Sequence, residues 1–195
     1  LQLETHDISQ EGRTHCIAID DTNPESTDPD KRLKQLGSKR IVPIHSTLLA
    51  LGFLEYINWV SQKPGTRVFP EELRNKHGKF DSFTKRYATY RKTCSVLSTH
   101  PSILKDFHSI RHTVRTRLAD VRTTRTATQR FDEGIIDAIL GHESSGRGEG
   151  QKTYNHTQYI SAKKSALARL EYPSISFERL IHWKTCKFLR GRSIK

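Results

Sequence analysis

His108, Arg111 and His112 stand within five positions of one another in the segment DFHSIRHT, residues 106–113. Asp106 reads as a helix N-cap, so the residues after it are predicted to form a first helical turn. On that helix His108 and Arg111 are i and i+3 neighbours, and His108 and His112 are i and i+4. Three chemistries suit such a group. The two histidines have the spacing of helical zinc ligands, but no glutamate follows His108 as a zincin motif requires. Arg111 would also set a fixed cation beside the metal. A solvated basic helix face with a capping histidine is the plainest alternative. The third is a phosphate clamp: a forked guanidinium suits two non-bridging oxygens, His108 adds a donor one turn away, and the helix N-terminus adds partial positive charge. A clamp of that kind serves a phosphodiester passing through a crowded pentacoordinate state. The rest of the chain must then supply a nucleophile and an acid.

The composition points the same way. The chain has 195 residues, with 33 Lys and Arg against 21 Asp and Glu and a formal net charge of +12. That length fits one domain with a real core and short appendages. The basic excess points to polyanions, nucleic acid first and anionic membrane second. No apolar run approaches the roughly 18 residues of a transmembrane helix, and no signal peptide opens the chain, so membrane is the weaker reading. Cys16, Cys94 and Cys186 are odd in number and far apart, without metal or disulfide spacing. They are expected to be small buried hydrophobes in a reducing, intracellular setting. The chain holds no methionine, and its opening LQLETHDIS reads as a piece of something longer.

The elements that must position the histidines and arginine follow from periodicity. Residues 1–8 read as a helix end or short strand before a turn at Gln10–Gly12. THCIAID (14–20) and KRIVPIH (39–45) read as strands, with Pro43 marking an edge or a strand end. Between them lies a long, charged hairpin loop. From Ser46 the period becomes 3.6, and one helix is expected to run to KPG at 63–65. FDSFTKRYATYRKTCSVL (80–97) reads as a second helix, capped by Asp81 or Ser82 and basic on its outer side. A third starts at Asp106. FDEGIIDAILGH (131–142) is a fourth, with Gly141 as its stop. ESSGRGEGQK (143–152) is a Gly-rich loop, and YISAKKSALARLEYP (159–173) a last helix ended by Pro173. The basic tail 174–195 holds material for one more amphipathic helix. The expected fold is mainly α with a small antiparallel β-sheet at its N-terminal edge, an α+β domain over residues 1–173.

Four motifs in this order resemble a known family. HSIRH, then ILGH, then TYNH, preceded by LKQLGSKRIVPIH, is similar to the catalytic half of tyrosine recombinases of the phage-integrase type. That family shows a His-x-x-Arg pair, a Leu-Gly-His element, a nucleophilic tyrosine shortly beyond it, and a β-hairpin lysine before a Ser/Arg-x-Val-Pro-Leu-His-like strand. The resemblance covers roughly residues 1–173 and implies the DNA breaking–rejoining fold.

It also implies roles. Tyr154 would be the nucleophile, twelve residues after His142, with the Gly-rich loop 144–150 absorbing a spacing a little longer than the family's. Tyr159 is the rival: five residues on, at about 100° per residue, it points roughly 140° away around a helix. Tyr56 and Tyr159 otherwise read as core packing, and Tyr87 and Tyr90 as surface or DNA-backbone contacts. Arg111 would stabilise the non-bridging oxygens, with His108 assisting and accepting the tyrosine proton. His142 would hydrogen-bond a phosphate oxygen, or else simply cap its helix. Lys34 would be the general acid for the departing 5′ oxygen, with Lys31 and Lys39 as alternatives.

The implied activity is site-specific DNA strand transfer through a 3′-phosphotyrosyl intermediate, as in a phage or genomic-island integrase. It needs no metal and no cofactor. The implied partner is double-stranded DNA, bound by a homotetramer in a synaptic complex and by a monomer when free. The implied location is the bacterial cytoplasm, on the nucleoid. The family's first arginine stands in a turn before the segment that LQLETHDIS matches, and no arginine lies within residues 1–10. Residues 1–195 alone are therefore expected to bind DNA and not to cleave it measurably. A non-catalytic DNA-binding fragment, a type IB topoisomerase-like enzyme and a zinc-dependent hydrolase are the competing functions.

Overall fold

A computed structural model of the chain describes residues 2–33, 38–96, 106–122, 130–142, 156–172, 175–177, 180 and 182–185, of which 156–158 in backbone alone. A 3-10 turn, Thr5–Asp7, leads into β1 (Ile8–Glu11), β2 (Thr14–Ile19) and β3 (Arg40–Pro43). The strands form an antiparallel sheet in the order β1-β2-β3. Ile8 faces Ile17 and Glu11 faces Thr14 across the first pair; Cys16 faces Pro43 and Ile19 faces Arg40 across the second. Pro43 ends an edge strand, where its missing N–H costs nothing. β2 and β3 are the expected strands, but β1 falls later than the helix end or short strand read at residues 1–8: Gln10 and Glu11, expected in the turn, pair with His15 and Thr14 instead.

Helices α1 (Ser46–Ala50) and α2 (Phe53–Ser61) replace the single helix expected from Ser46. Gly52 breaks it with a φ of 82°, a left-handed conformation that glycine adopts without strain. The break has a tertiary use. A Cβ at Gly52 would run into the His182 ring, and the Trp183 N–H donates to the Leu51 carbonyl at 3.1 Å. The C-terminal segment thus satisfies a carbonyl that the end of α1 leaves free. Trp183 also packs edge-on to Tyr56, ring centroids 5.7 Å apart, and Tyr56 donates from its hydroxyl to the Val68 carbonyl at 2.8 Å. The described part of the tail forms a 3-10 turn at Trp183–Thr185 and no α-helix.

Helix α3 (Asp81–Thr93) starts without a side-chain cap. Asp81 instead accepts from the Asn75 side chain, and Ser82 donates to Glu72, so neither is the expected cap. Its outer side is basic as expected, with Lys85, Arg86 and Lys92 exposed. Helix α4 (Phe107–Asp120) is capped by Asp106, which accepts from the Ser109 N–H at 3.0 Å. Helix α5 (Glu133–Leu140) is capped by Asp132 and closed by Gly141 at φ 69°. Helix α6 (His156–Ala168) begins earlier and ends earlier than its apolar pattern suggested.

The core lies where α4, α5 and α6 meet β3. Leu118, Ile136, Ile139, Leu140 and Ala166 are buried there, with Val42 and Val114 packed against them. Each large aliphatic chain so buried contributes about 1.5–3 kcal/mol. This core holds the C-terminal end of α5 against the middle of α4 and the start of β3. Cys16 is buried as expected, Cys94 is exposed against expectation, and Cys186 lies outside the described residues. Among the described residues no helix is long and apolar enough to cross a membrane.

Candidate phosphate site

Helix α4 carries His108, Arg111, His112 and Arg115 at i, i+3, i+4 and i+7, one continuous stripe. His108 and His112 pack ring against ring, edge-on, with centroids 4.9 Å apart. Opposite the later part of the stripe stands the end of α5. Gly141 turns the chain there, its N–H donating to the Asp137 carbonyl at 2.6 Å, and the His142 N–H donates to the same carbonyl at 3.1 Å. The turn carries the His142 ring back toward α4. Arg115 Nη1 lies 2.8 Å from Asp137 Oδ1 and 2.9 Å from His142 Nδ1. The stop at Gly141 is thus a positioning element, and His142 does not serve as the helix cap.

Arg40, from the start of β3, lies beneath the same turn. Its Nε donates to the Ile139 carbonyl at 3.1 Å and its Nη1 to the Ser38 carbonyl at 2.6 Å. Two carbonyl contacts and a helix C-terminus are a favourable seat for a guanidinium. Any Cβ at Gly141 would run into it. Burial, and then the charge of Arg111, lower the Arg40 pKa. Burial likewise holds His142 below its ordinary value; Arg111 and Arg115 add repulsion, and Asp137 opposes them. The charge of Arg111 therefore acts on both Arg40 and His142. Among the described residues, neither Arg111 nor Arg40 has a carboxylate within ion-pair distance, and Asp137 pairs with Arg115 alone of the three arginines. Three guanidiniums, of which Arg115 alone has a carboxylate partner, leave an excess of positive charge that attracts an anion.

The residues expected to act together are only partly in view. Arg111 and His142 share one site. His108 lies one turn before Arg111, against His112. Tyr154 and Lys34 lie outside the described residues. Tyr159 sits half-buried on α6, with the Lys163 ammonium 5.9 Å from its ring centroid. Lys163 is itself buried and donates to the Ile41 carbonyl at 2.7 Å. Burial lowers its pKa, and Arg40 adds to the shift.

Of the alternative acids, Lys31 is otherwise engaged. Its Nζ lies 3.1 Å from Glu4 Oε2 and 2.7 Å from Asp7 Oδ2 in a nearly sealed cluster. Glu4, His6 and Asp7 together could ligate a cation, with ligand atoms within 4.8 Å of one another. The Lys31 ammonium already fills that role. Among the described residues no third ligand joins His108 and His112, which removes the zinc pair as a centre built from those residues. Lys39 is half-exposed and tied to Asp20 at 2.8 Å and to Thr22 at 2.6 Å.

No protein-family model, no curated protein and no solved structure matches this chain.

Sequence reasoning missed Arg40, Arg115 and Asp137. Arg115 had a signal, since it extends the stripe of His108 and Arg111 by one further turn. Arg40 stood in the quoted strand motif without a role, and Asp137 had no signal: a residue in a strand and one inside a helix meet at the site only through the packing of β3 on α5.

Proposed function

We propose that the domain is the catalytic part of a tyrosine-type DNA strand transferase, a site-specific recombinase of the integrase kind. The observation that carries this reading is the placement of Arg111. It stands unpaired among the described residues, near enough to Arg40 and His142 for its charge to act on both. An anion with several oxygens, held by a guanidinium and an imidazole N–H, fits that arrangement. The net charge of +12 suits a polyanionic duplex around it.

In this reading the phenol oxygen of Tyr154 gives its proton to His108 and attacks the phosphorus, and a 3′-phosphotyrosyl ester forms as the 5′ oxygen leaves. Lys34 gives that oxygen its proton. A 5′ hydroxyl of a partner strand then attacks the ester and restores the phenol. One bond forms and one breaks in each step, so no metal, cofactor or nucleotide is consumed. Duplex DNA is the partner, and a homotetramer brings two duplexes together.

Fluorescence anisotropy on a short labelled duplex tests the carrying observation. With on the order of six phosphate contacts, raising salt from about 50 to about 200 mM should weaken binding about a thousandfold. Arg111→Ala should weaken it further at any one salt concentration. Salt-insensitive binding, or none at low salt, sinks the reading. The chemistry is read on the gene's full product with a nicked duplex that traps the covalent adduct. The adduct should vanish in Tyr154→Phe while DNA binding persists. Loss in Tyr159→Phe instead would move the nucleophile.

A further inference from the structure

We propose that Arg115 is a positioning residue that occupies Nδ1 of His142, fixing the ring's proton on Nε2 as the donor left for a phosphate oxygen. This rests on the reading of the site as a phosphate site. The assignment of the proton does not. Arginine carries only donors and has no acceptor. A contact of 2.9 Å between Arg115 Nη1 and His142 Nδ1 is a hydrogen bond only if Nδ1 is bare. A neutral ring with a bare Nδ1 holds its proton on Nε2.

Asp137 makes the assignment informative. Its Oδ1 lies 3.6 Å from His142 Nδ1, and without Arg115 it would be the natural acceptor for an Nδ1–H. Arg115 Nη1 is within hydrogen-bond distance of both. A guanidinium and a proton thus compete for the same nitrogen. When the proton wins, the imidazolium turns its Nδ1–H to Asp137, and Arg115 loses half of its seat. Arg111 and Arg115 from α4 oppose that protonation, and Asp137 from α5 favours it. Arg40 from β3 adds positive charge beneath the turn. The balance disfavours the imidazolium, so the phosphate meets a neutral donor whose direction is fixed.

Nitrogen-15 NMR of the His142 ring in the whole chain, followed from about pH 5 to 8, reads the tautomer directly. The wild type should show the Nε2–H form and a midpoint below that of an ordinary histidine. In Arg115→Met the midpoint should rise by about one pH unit, and the neutral ring should move its proton to Nδ1, facing Asp137. An Nδ1–H wild type, or an Arg115→Met spectrum unchanged in tautomer and midpoint, overturns the proposal. Should Arg115→Met not fold, Asp137→Asn serves: it removes the opposing charge, so the midpoint should fall, and a rise would count against the lock. A short DNA duplex separates the two readings. The Nε2–H form with a signal that shifts on adding duplex supports both. The Nε2–H form with no response keeps the lock and removes the phosphate. An Nδ1–H form that responds to duplex does the reverse.

Discussion

Lys31 Nζ lies 2.7 Å from Asp7 Oδ2, and both side chains are almost sealed from solvent. The same ammonium reaches Glu4 Oε2 at 3.1 Å. Burial works against the charge on Lys31, but Asp7 and Glu4 outweigh it and raise its pKa. The pair ties the long loop between β2 and β3 to the turn that precedes β1.

Replacing Lys31 by Met should therefore cost far more than a surface charge would. Two buried carboxylates would lose their cation, and breaking such a pair costs about 3–5 kcal/mol. For a chain of this size that lowers Tm by roughly 10 °C. Calorimetry beside Lys39→Met, whose ion pair is half-exposed, checks it. Equal losses would show that the cluster is not buried in solution.

Acid should unfold the domain through Glu4. Burial raises the pKa of that carboxyl, but hydrogen bonds from Ser26, Thr66, Lys31 and the Thr27 backbone bring it down to about 2. A folded value below the unfolded one means the contribution is complete above about pH 4.5. It is lost as pH falls from there toward about 2. At about 1.4 kcal/mol per unit, the effect is on the order of 3 kcal/mol. Urea unfolding at a series of pH values should show this slope, and Glu4→Gln should flatten it. A slope unchanged in Glu4→Gln would assign the acid sensitivity elsewhere.

Gly141→Ala should damage both stability and DNA binding. A φ of 69° is strained for any residue with a Cβ, by about 1–2 kcal/mol, and the new carbon meets the Arg40 guanidinium. Relief requires Arg40 or the His142 turn to move. Gly12→Ala is the control, since its φ of 59° carries the same strain with open space around the Cβ. Both should lose similar stability from strain, and Gly141→Ala alone should weaken duplex binding. Equal DNA affinities would detach Arg40 and His142 from the phosphate.

Lys31 is committed to a buried pair, which leaves Lys34, with Lys39 behind it, as the candidate acid. Lys34→Ala, in the gene's full product, should slow cleavage far more than it weakens binding. On a substrate whose 5′ bridging oxygen is sulfur, the leaving group needs no proton, and the variant should recover much of its rate. Failure to recover would shift the role to Lys39.

Local order alone determined much of this protein. Asp106 and Asp132 cap α4 and α5 because a carboxylate can reach N–H groups two or three residues ahead without help from the rest of the chain. Gly141 ends α5 because glycine tolerates a left-handed turn. Strands β2 and β3 were legible in the sequence, and the stripe from His108 to Arg111 followed from helical spacing. Other features depended on distant partners. The break at Gly52 answers to His182 and Trp183, and Lys31 lost its reading as an acid to Glu4 and Asp7. Arg40, Arg115 and Asp137 became part of the site because β3, α4 and α5 share one core. Charge pairing depends on distance in space, and separations of 22 residues for Arg115 and Asp137, or 99 for Arg40 and Ile139, leave no mark in local sequence.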